Sequence, residues 1–428
     1  MQEKIKTAKD KIIKLLRWSE KYTKTDLVYL ASNGFWVMLA QGVSLFSAFL
    51  VTMLLTNILP KEVFGQYRFI LAIIPLLAIF TLPGTGHALT RAVACGTQVD
   101  LRTIAQVKIK WGLLGSLGSL MIALYYFIQG NNLLAYTFTI SALFIPFFET
   151  FFIYSFYYQG HLDFKTPAIY ESLSRLLQAL IMILTALLTH SIIALVISFF
   201  IGQTITRYFF YYITCQKNTV MPRNESTSYN KIVSQGKKLS ATTFIGITVE
   251  NIDKLIVWHF LGATALATYT VLLLLPTQIA KTLSLGGQVL FPKFANMSLS
   301  EISLRSFSWK LGMIGILLSL GMIPVFILIT LIFPHLFSSF TNELPILYYA
   351  LPLIALIPLR NILFYFLISQ NKQTFVNKVL LSALLSYILA AFLITQSLFM
   401  AILLLLFKES ILFILAIYYS VICITKST

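Results

Sequence analysis

Three ionisable residues, Glu250, Asp253 and Lys254, lie inside a stretch that is otherwise apolar enough for a lipid environment. A charge in the hydrocarbon core costs at least about 2.5–3.5 kcal/mol on insertion scales, so it usually faces a partner or a wet cavity. Glu250 precedes Lys254 by four residues, a spacing that allows pairing on one helix face. Lys254 has the alternative of extending towards the membrane interface. We predict that Asp253 faces a polar cavity.

Two further charges, Glu149 and Arg360, lie deep in apolar segments of the first and second halves of the chain. At about 1.5 Å per residue, Arg360 falls near the middle of a bilayer. Pro146 and Pro358 precede the two charges, and a proline in a membrane helix loosens the backbone ladder beside a cavity. We predict that Glu149 and Arg360 face one central cavity from opposite halves. The alternative is that each pairs with a neighbouring helix and only holds the bundle together.

Arg68 and Lys281 occupy corresponding apolar segments of the two halves, and both could line a cationic path. Extension towards the interface is the alternative for Arg68.

Five more charged residues are better explained by structural roles. Glu171 and Arg175 are four residues apart, which favours a local ion pair. Arg207 lies near enough to the end of its segment to reach the interface. Lys408 and Glu409 interrupt the middle of the last apolar segment, and the sequence indicates nothing for them beyond pairing between helices.

The composition defines the class of fold that must position these side chains. The chain is 58% hydrophobic and 11% charged, with a mean hydropathy of +0.83. A soluble domain cannot hide so much apolar surface, and apolar runs of about 20 residues recur throughout. Runs such as 314–333 do not alternate as barrel strands would. We predict an all-α polytopic membrane protein with about twelve transmembrane helices.

The net charge of +17 has a topological explanation. In a soluble protein it would suggest nucleic acid, but here it reflects the lysine and arginine that stay on the cytoplasmic side. We expect no nucleic-acid partner. The basic residues concentrate in every second connection, which predicts that both termini are cytoplasmic. The three cysteines have neither a disulfide nor a metal spacing, so no metal site is predicted.

The apolar segments fall into two sets of six. Their expected limits are 28–57, 65–84, 104–128, 132–156, 167–189, 191–214, 236–260, 264–290, 308–333, 343–369, 374–396 and 398–424. A turn at Leu261–Gly262 separates the seventh from the eighth. The two stretches around this turn and around Pro60 align, with Tyr67 on Tyr269. We predict two six-helix bundles related by a parallel pseudo-two-fold repeat, with the substrate path between them.

The chain therefore divides into four parts by sequence. Residues 1–26 carry eight basic residues and predict a basic amphipathic cytoplasmic N-terminus on the membrane surface. Residues 27–215 form the N-lobe, 216–230 a cytoplasmic linker rich in polar residues, and 231–428 the C-lobe.

Several stretches resemble the oligosaccharide flippases of polysaccharide biosynthesis (Wzx-type exporters of O-antigen or capsule repeat units). These belong to the multidrug/oligosaccharidyl-lipid/polysaccharide (MOP) superfamily. The resembling stretches are 57–67 (NILPKEVFGQY), 81–96 (TLPGTGHALTRAVACG), 251–276 and 288–295 (QVLFPKFA). The patterns Asp253-Lys254…Gly262…Tyr269 and Phe64-Gly65-X-Tyr67 are similar to recurrent signatures of that family.

The resemblance implies export of an undecaprenyl-pyrophosphate-linked oligosaccharide by alternating access, across a bacterial or archaeal cell (inner) membrane. Under this interpretation Arg360, Lys281, Arg68 and Lys254 are candidates for contacting pyrophosphate or acidic sugars. Glu149, Asp253 and Glu250 are candidates for binding a coupling proton or sodium ion. We expect no cofactor and no catalytic residue, coupling to an ion gradient or the membrane potential, and partners among membrane lipids and the polysaccharide polymerase machinery.

The sequence leaves three alternative functions open. A MATE-like multidrug or cation antiporter of the same superfamily usually has a carboxylate within the first span, where this chain has none between Val28 and Asn57. A membrane glycan polymerase or ligase would need a large outward loop, which the short connections do not provide. A scaffold without transport is disfavoured by the number of charges inside the spans.

Overall fold

The computed structural model describes residues 27–217, 226–295, 303–370, 372–394 and 397–425. Within these ranges the chain is helical throughout, with short 3-10 turns and no strand. The predicted fold class, an all-α polytopic protein, is confirmed. The amphipathic N-terminus predicted for residues 1–26 and the middle of the predicted linker lie outside the described residues, and the lobe boundaries stay predictions.

The first half of the chain folds into helices joined by short connections. They are α1 (Leu27–Ile58), α2 (Lys61–Ala78), α3 (Gly84–Ala94), α4 (Leu101–Ile128), α5 (Asn132–Phe148), α6 (Ile153–Gly160), α7 (Lys165–Leu188) and α8 (Ile192–Lys217). Within this half α4 packs on α5, α1 on α7, α7 on α8 and α3 on α6.

The second half is also built of helices that pack on one another. Its helices are α9 (Ser226–Leu272), α10 (Leu274–Ala295), α11 (Leu304–Leu336), α12 (Leu344–Tyr348), α13 (Leu353–Ser369), α14 (Gln373–Ile394) and α15 (Leu398–Thr425). Here α10 packs on α13, and α15 packs on both α13 and α14.

The number of spans depends on how broken helices are counted. In the described ranges ten helices are long and apolar enough to cross a membrane, or eleven if the bent pair Ser338–Tyr348 and Leu353–Ser369 is one span. The sequence predicted about twelve spans, and the span missing from the eleven is the eighth predicted one, 264–290. Gly262 has φ 82° and interrupts the helical backbone of α9, so the predicted turn is confirmed. The residues after this turn continue towards α10 and form the eighth predicted segment.

Polar side chains cap the N-termini of two helices, and a lysine binds the backbone in the connection between α2 and α3. Asp100 accepts a hydrogen bond from the Arg102 amide (3.0 Å) at the start of α4. Asn131 accepts one from the Leu134 amide (3.1 Å) at the start of α5. Between α2 and α3, the Leu82 carbonyl accepts a hydrogen bond from Lys108 Nζ (3.4 Å). The hydrogen bond to the Leu82 carbonyl is buried, and an internal partner matters there because lipid offers none.

The two halves meet along α2–α3 on one side and α9 on the other. At one end Gly65 lies so close to the Ala263 carbonyl that a Cβ atom would collide with backbone. At the other end the Gly84 amide donates to Ser240 Oγ (3.0 Å). Between these ends Phe69 stacks on Trp258 with ring centroids 4.0 Å apart. Small residues therefore bring the two halves to backbone distance at two separate places.

Replacing Gly65 with alanine is expected to lower the free energy of unfolding by about 1–3 kcal/mol, because the added methyl group overpacks a contact with rigid backbone. The matched control is Gly42→Ala, at a helical glycine whose Cβ position has nothing within 4 Å. Alanine is the better helix former, so this variant should be as stable as the wild type or more so. Thermal unfolding in detergent measures both, and equal melting temperatures for the two variants would contradict the close contact.

Candidate functional site

A cavity of about 410 Å³ lies between α2 and the second-half helices α9, α10, α13 and α15. Its lining holds five cationic and three carboxylate side chains, an excess of two positive charges. The cations are Arg68, Lys254, Lys281, Arg360 and Lys408, and the carboxylates are Glu250, Asp253 and Glu409. Such a cavity suits an anion, because charge-assisted contacts are strong where water is scarce.

The structure brings together most of the charged residues that the sequence selected. All four candidate anion-binding residues, Arg68, Lys254, Lys281 and Arg360, line this one cavity, and so do Asp253 and Glu250.

Glu149 is placed elsewhere. It lines a second cavity of about 300 Å³ with Arg175 and Gln203. The expectation that Glu149 and Arg360 share one cavity therefore does not match the structure. The two cavities are neighbours, since Pro75 and Ile247 belong to the lining of both.

Asp253 is the most deeply placed carboxylate of the candidates, at 4% exposure. Its Oδ2 accepts a hydrogen bond from the Tyr269 hydroxyl at 2.8 Å. Its Oδ1 is buried and has no hydrogen-bond partner within the described ranges. A buried carboxylate oxygen with an empty acceptor position is costly unless a ligand, water or proton satisfies it. Asp253 therefore keeps one oxygen available to the cavity.

Lys254 is held by neutral oxygens. Its Nζ donates to Asn251 Oδ1 (2.8 Å) and to the backbone carbonyl of Glu250 (3.4 Å). The expected side-chain ion pair between Lys254 and Glu250 is not among the ion pairs of the described residues, because the ammonium turns back towards Asn251. Lys254 therefore forms no ion pair with a described residue, although the charges of Asp253 and Glu250 act on it.

Arg360 and Lys408 share one carboxylate. Arg360 Nη1 donates to Glu409 Oε2 at 2.6 Å, and Lys408 Nζ lies 3.8 Å from Glu409 Oε1. Lys408 also donates to the Val249 carbonyl at 2.8 Å and lies over the Tyr387 ring. From the sequence, only pairing between helices is predicted for Lys408 and Glu409. The only signal was a pair of adjacent opposite charges in the middle of an apolar segment.

A second charged cluster lies inside the first half, around Arg207. This side chain is 3% exposed and forms ion pairs with Glu149 (3.1 Å) and Glu171 (3.0 Å). It also donates to the Phe148 carbonyl at 3.2 Å, at the end of α5. The prediction that Arg207 reaches the membrane interface is wrong, because its helix faces the two acids rather than lipid. The local pair predicted for Glu171 and Arg175 is confirmed, with Arg175 Nη2 3.1 Å from Glu171 Oε1.

No group of three or more His, Cys, Asp and Glu side chains is arranged to hold a metal ion in the part of the chain that the structure describes. The chemistry open to the main cavity is reversible binding of an anionic group by ammonium and guanidinium side chains, with Asp253 as an additional acceptor.

The fold is shared with solved transporters. One is an inward-facing multidrug resistance MATE family transporter of the MOP superfamily (TM-score 0.62, 11% identity, covering 90% of this chain and 95% of that one). Another is the Vibrio cholerae MATE transporter VcmN (TM-score 0.59, 9% identity, 93% and 96%). A third is a MOP superfamily transporter from Pyrococcus furiosus, whose binding pocket is described as having reverse polarity (TM-score 0.57, 11% identity, covering 93% of this chain and 96% of that one). At these identities the likenesses show that the chain shares the fold of these transporters.

The sequence itself matches a family profile described as "Polysaccharide biosynthesis protein" over residues 30–298, more than half of the chain. The chain therefore belongs to the polysaccharide biosynthesis protein family, and it has the fold of the MATE and MOP-superfamily transporters named above. Comparison with curated proteins gives no significant sequence match.

Proposed function

We propose that this transporter flips undecaprenyl-pyrophosphate-linked polysaccharide repeat units, such as those of O-antigen, from the cytoplasmic to the outer leaflet by alternating access. The head group would occupy the cavity, while the lipid tail stays in the bilayer. The membrane is the cell (inner) membrane of a bacterium or archaeon, with both termini in the cytoplasm. A polysaccharide polymerase would take over the product.

The observation that carries this proposal is the charge of the main cavity. Five cationic and three carboxylate side chains line it, at the contact between the two halves of the chain. A lipid diphosphate is the anion that a polysaccharide biosynthesis transporter would meet in a membrane. Moving this group through hydrocarbon unaided is prohibitive, since a single charge already costs several kcal/mol. A cationic cavity lowers that cost by replacing water with ammonium and guanidinium groups.

A MATE-like drug antiporter is less well matched. The solved structures share its fold, but a cationic drug would meet a net positive charge in the main cavity. The Pyrococcus furiosus transporter is described as having a pocket of reverse polarity that suggests a different function, so pocket polarity differs among proteins of this fold. We assign the coupling proton or sodium ion, where one is used, to Asp253, Glu250 or Glu149.

Deletion of the gene tests the proposal directly. Cells without it should lose surface polysaccharide and accumulate lipid-linked repeat units on the cytoplasmic face, and the wild-type gene should restore the surface polymer. Drug susceptibility of the same strains is the comparison that distinguishes the antiporter. Unchanged surface polysaccharide together with increased drug sensitivity would contradict flipping and favour the antiporter.

A further inference from the structure

The two halves of the chain also meet where the end of α1 and the start of α2 lie against the connection that follows α11. Asn57 Nδ2, in the last turn of α1, donates to the Leu336 carbonyl at 3.1 Å. Leu336 is the last residue of α11, and the final carbonyls of a helix have no partner within it. An amide of the first half therefore satisfies a helix end of the second half.

Lys61, the first residue of α2, lies against the 3-10 turn Ser338–Glu343. In such a turn side chains three residues apart eclipse, so Phe340 and Glu343 lie on one side of it. Lys61 Nζ is 3.5 Å from Glu343 Oε1 and 4.5 Å from the centre of the Phe340 ring. One ammonium group of the first half thus contacts both a carboxylate and an aromatic face of the second half.

These contacts lie beyond one end of the main cavity. Arg68, which lines the cavity, follows Lys61 by about 10 Å along α2 at 1.5 Å per residue. Leu353 lines the cavity from the half that carries Glu343. The topology predicted from the basic residues places the connection between α1 and α2 outside the cell. Under this topology the contacts hold the two halves together on the outer side of the cavity.

The ion pair is weak, as a reversible closure requires. The Lys61 and Glu343 side chains are 36% and 28% exposed, and an ion pair at such exposure contributes little because water screens it. Glu343 Oε2 is buried and has no hydrogen-bond partner among the described residues. A buried carboxylate oxygen without a partner raises the free energy of the closed form, and separation would return it to water.

We propose that Asn57 and Lys61 of the first half, with the Leu336 carbonyl, Phe340 and Glu343 of the second, form an outer latch. It holds the outer side of the main cavity shut and separates whenever the cavity opens outwards. This inference rests on the proposed function for the sidedness of the membrane and for a cavity that opens to both sides. It adds the contact that closes one of them.

Labelling of a cavity cysteine with a membrane-impermeant thiol reagent, added to right-side-out membrane vesicles, tests the outer latch. The probe is Thr277→Cys, in the lining of the main cavity, and the same protein without this substitution gives the background. Lys61→Glu places two like charges at the latch, so labelling at position 277 should rise about fivefold. Glu343→Lys should have the same effect. Labelling at the wild-type level in both variants would overturn the proposal.

The exchanged pair separates electrostatics from damage to the fold. Lys61→Glu combined with Glu343→Lys restores opposite charges, so labelling should return close to the wild-type level. A combined variant that is labelled as strongly as the single ones would refute the latch.

The matched control is Glu62→Lys, a charge reversal at the exposed neighbouring residue, which should leave labelling unchanged. An equal rise in this control would show that net charge at this end, rather than the ion pair, sets access to the cavity, and the latch would be refuted. Inside-out vesicles test the sidedness. A gain of labelling from the cytoplasmic side alone would place the contact at the wrong end and also overturn the proposal.

The outcomes distinguish the outer latch from the proposed function, because labelling needs no substrate. Increased labelling in the single variants and its reversal in the exchanged pair, together with unchanged surface polysaccharide in the deletion strain, would keep the latch and remove the flippase. Loss of surface polysaccharide on deletion, with labelling unaffected by Lys61→Glu and Glu343→Lys, would remove the latch and keep the flippase.

Discussion

Arg207→Ala is expected to lower the free energy of unfolding by about 3–5 kcal/mol, because it leaves two carboxylates without their shared buried partner. Arg207 is 3% exposed and lies 3.1 Å from Glu149 and 3.0 Å from Glu171. It also donates to the Phe148 carbonyl, so the end of α5 loses a hydrogen bond as well. Thermal or denaturant unfolding of the purified protein in detergent measures the effect.

The matched control is Arg175→Ala, which removes the same kind of side chain from the same cluster. Arg175 also contacts Glu171 at 3.1 Å, but its side chain is 32% exposed. Glu171 keeps its contact with Arg207 in this variant, and a partly exposed ion pair contributes only about 0–1 kcal/mol, so stability should remain close to wild type. A loss of stability in Arg175→Ala as large as that in Arg207→Ala would show that the buried position of Arg207 does not decide the effect.

Arg360→Ala is expected to abolish export while the protein still inserts into the membrane. The substitution leaves Glu409, whose side chain is 7% exposed, without its 2.6 Å partner. It also reduces the positive excess of the cavity from two charges to one. Surface polysaccharide in a deletion strain carrying the variant gene measures export, and membrane abundance of the variant shows whether it inserts. Wild-type surface polysaccharide would contradict a role for Arg360 in the cavity.

The double variant Arg360→Gln with Glu409→Gln separates the two reasons for that loss. It removes one positive and one negative charge, so the excess of the cavity stays at two and no buried carboxylate is left unpaired. Lys408 loses its acid but keeps its hydrogen bond to the Val249 carbonyl. Replacing both members of a buried pair is far less costly than removing one. We expect export to return in large part. A double variant as inactive as Arg360→Ala would mean that Arg360 itself contacts the substrate.

The four candidate cations all line the main cavity because the cost of a charge in lipid restricts where such a side chain can point. A charged side chain in an apolar segment is stable only at the membrane interface or in a polar interior. This restriction applies to Arg68, Lys254, Lys281 and Arg360. The turn at Gly262 could also be predicted from the sequence, since glycine tolerates the positive φ found there.

The sequence could not show which charges far apart in the chain neutralise one another. Position along a helix gives depth in the membrane, whereas the direction of a side chain depends on how the helix is rotated against its neighbours. Arg207 was therefore predicted at the interface, although its helix turns it towards Glu149, 58 residues away. Arg360 and Glu409 are 49 residues apart, and no local spacing rule connects them. For the same reason Glu149 was predicted to share the cavity of Arg360.

The meeting of α2–α3 with α9 at both Gly65 and Gly84 has a consequence for the permeability of the membrane. The two contacts hold α2–α3 against α9 at two separate places along their length. Under the proposed function, we expect an opening of the main cavity to one side to separate one contact while the other stays formed. Such alternate opening would admit the head group from one side without a continuous path for ions across the membrane, so the ion gradients of the cell would be kept.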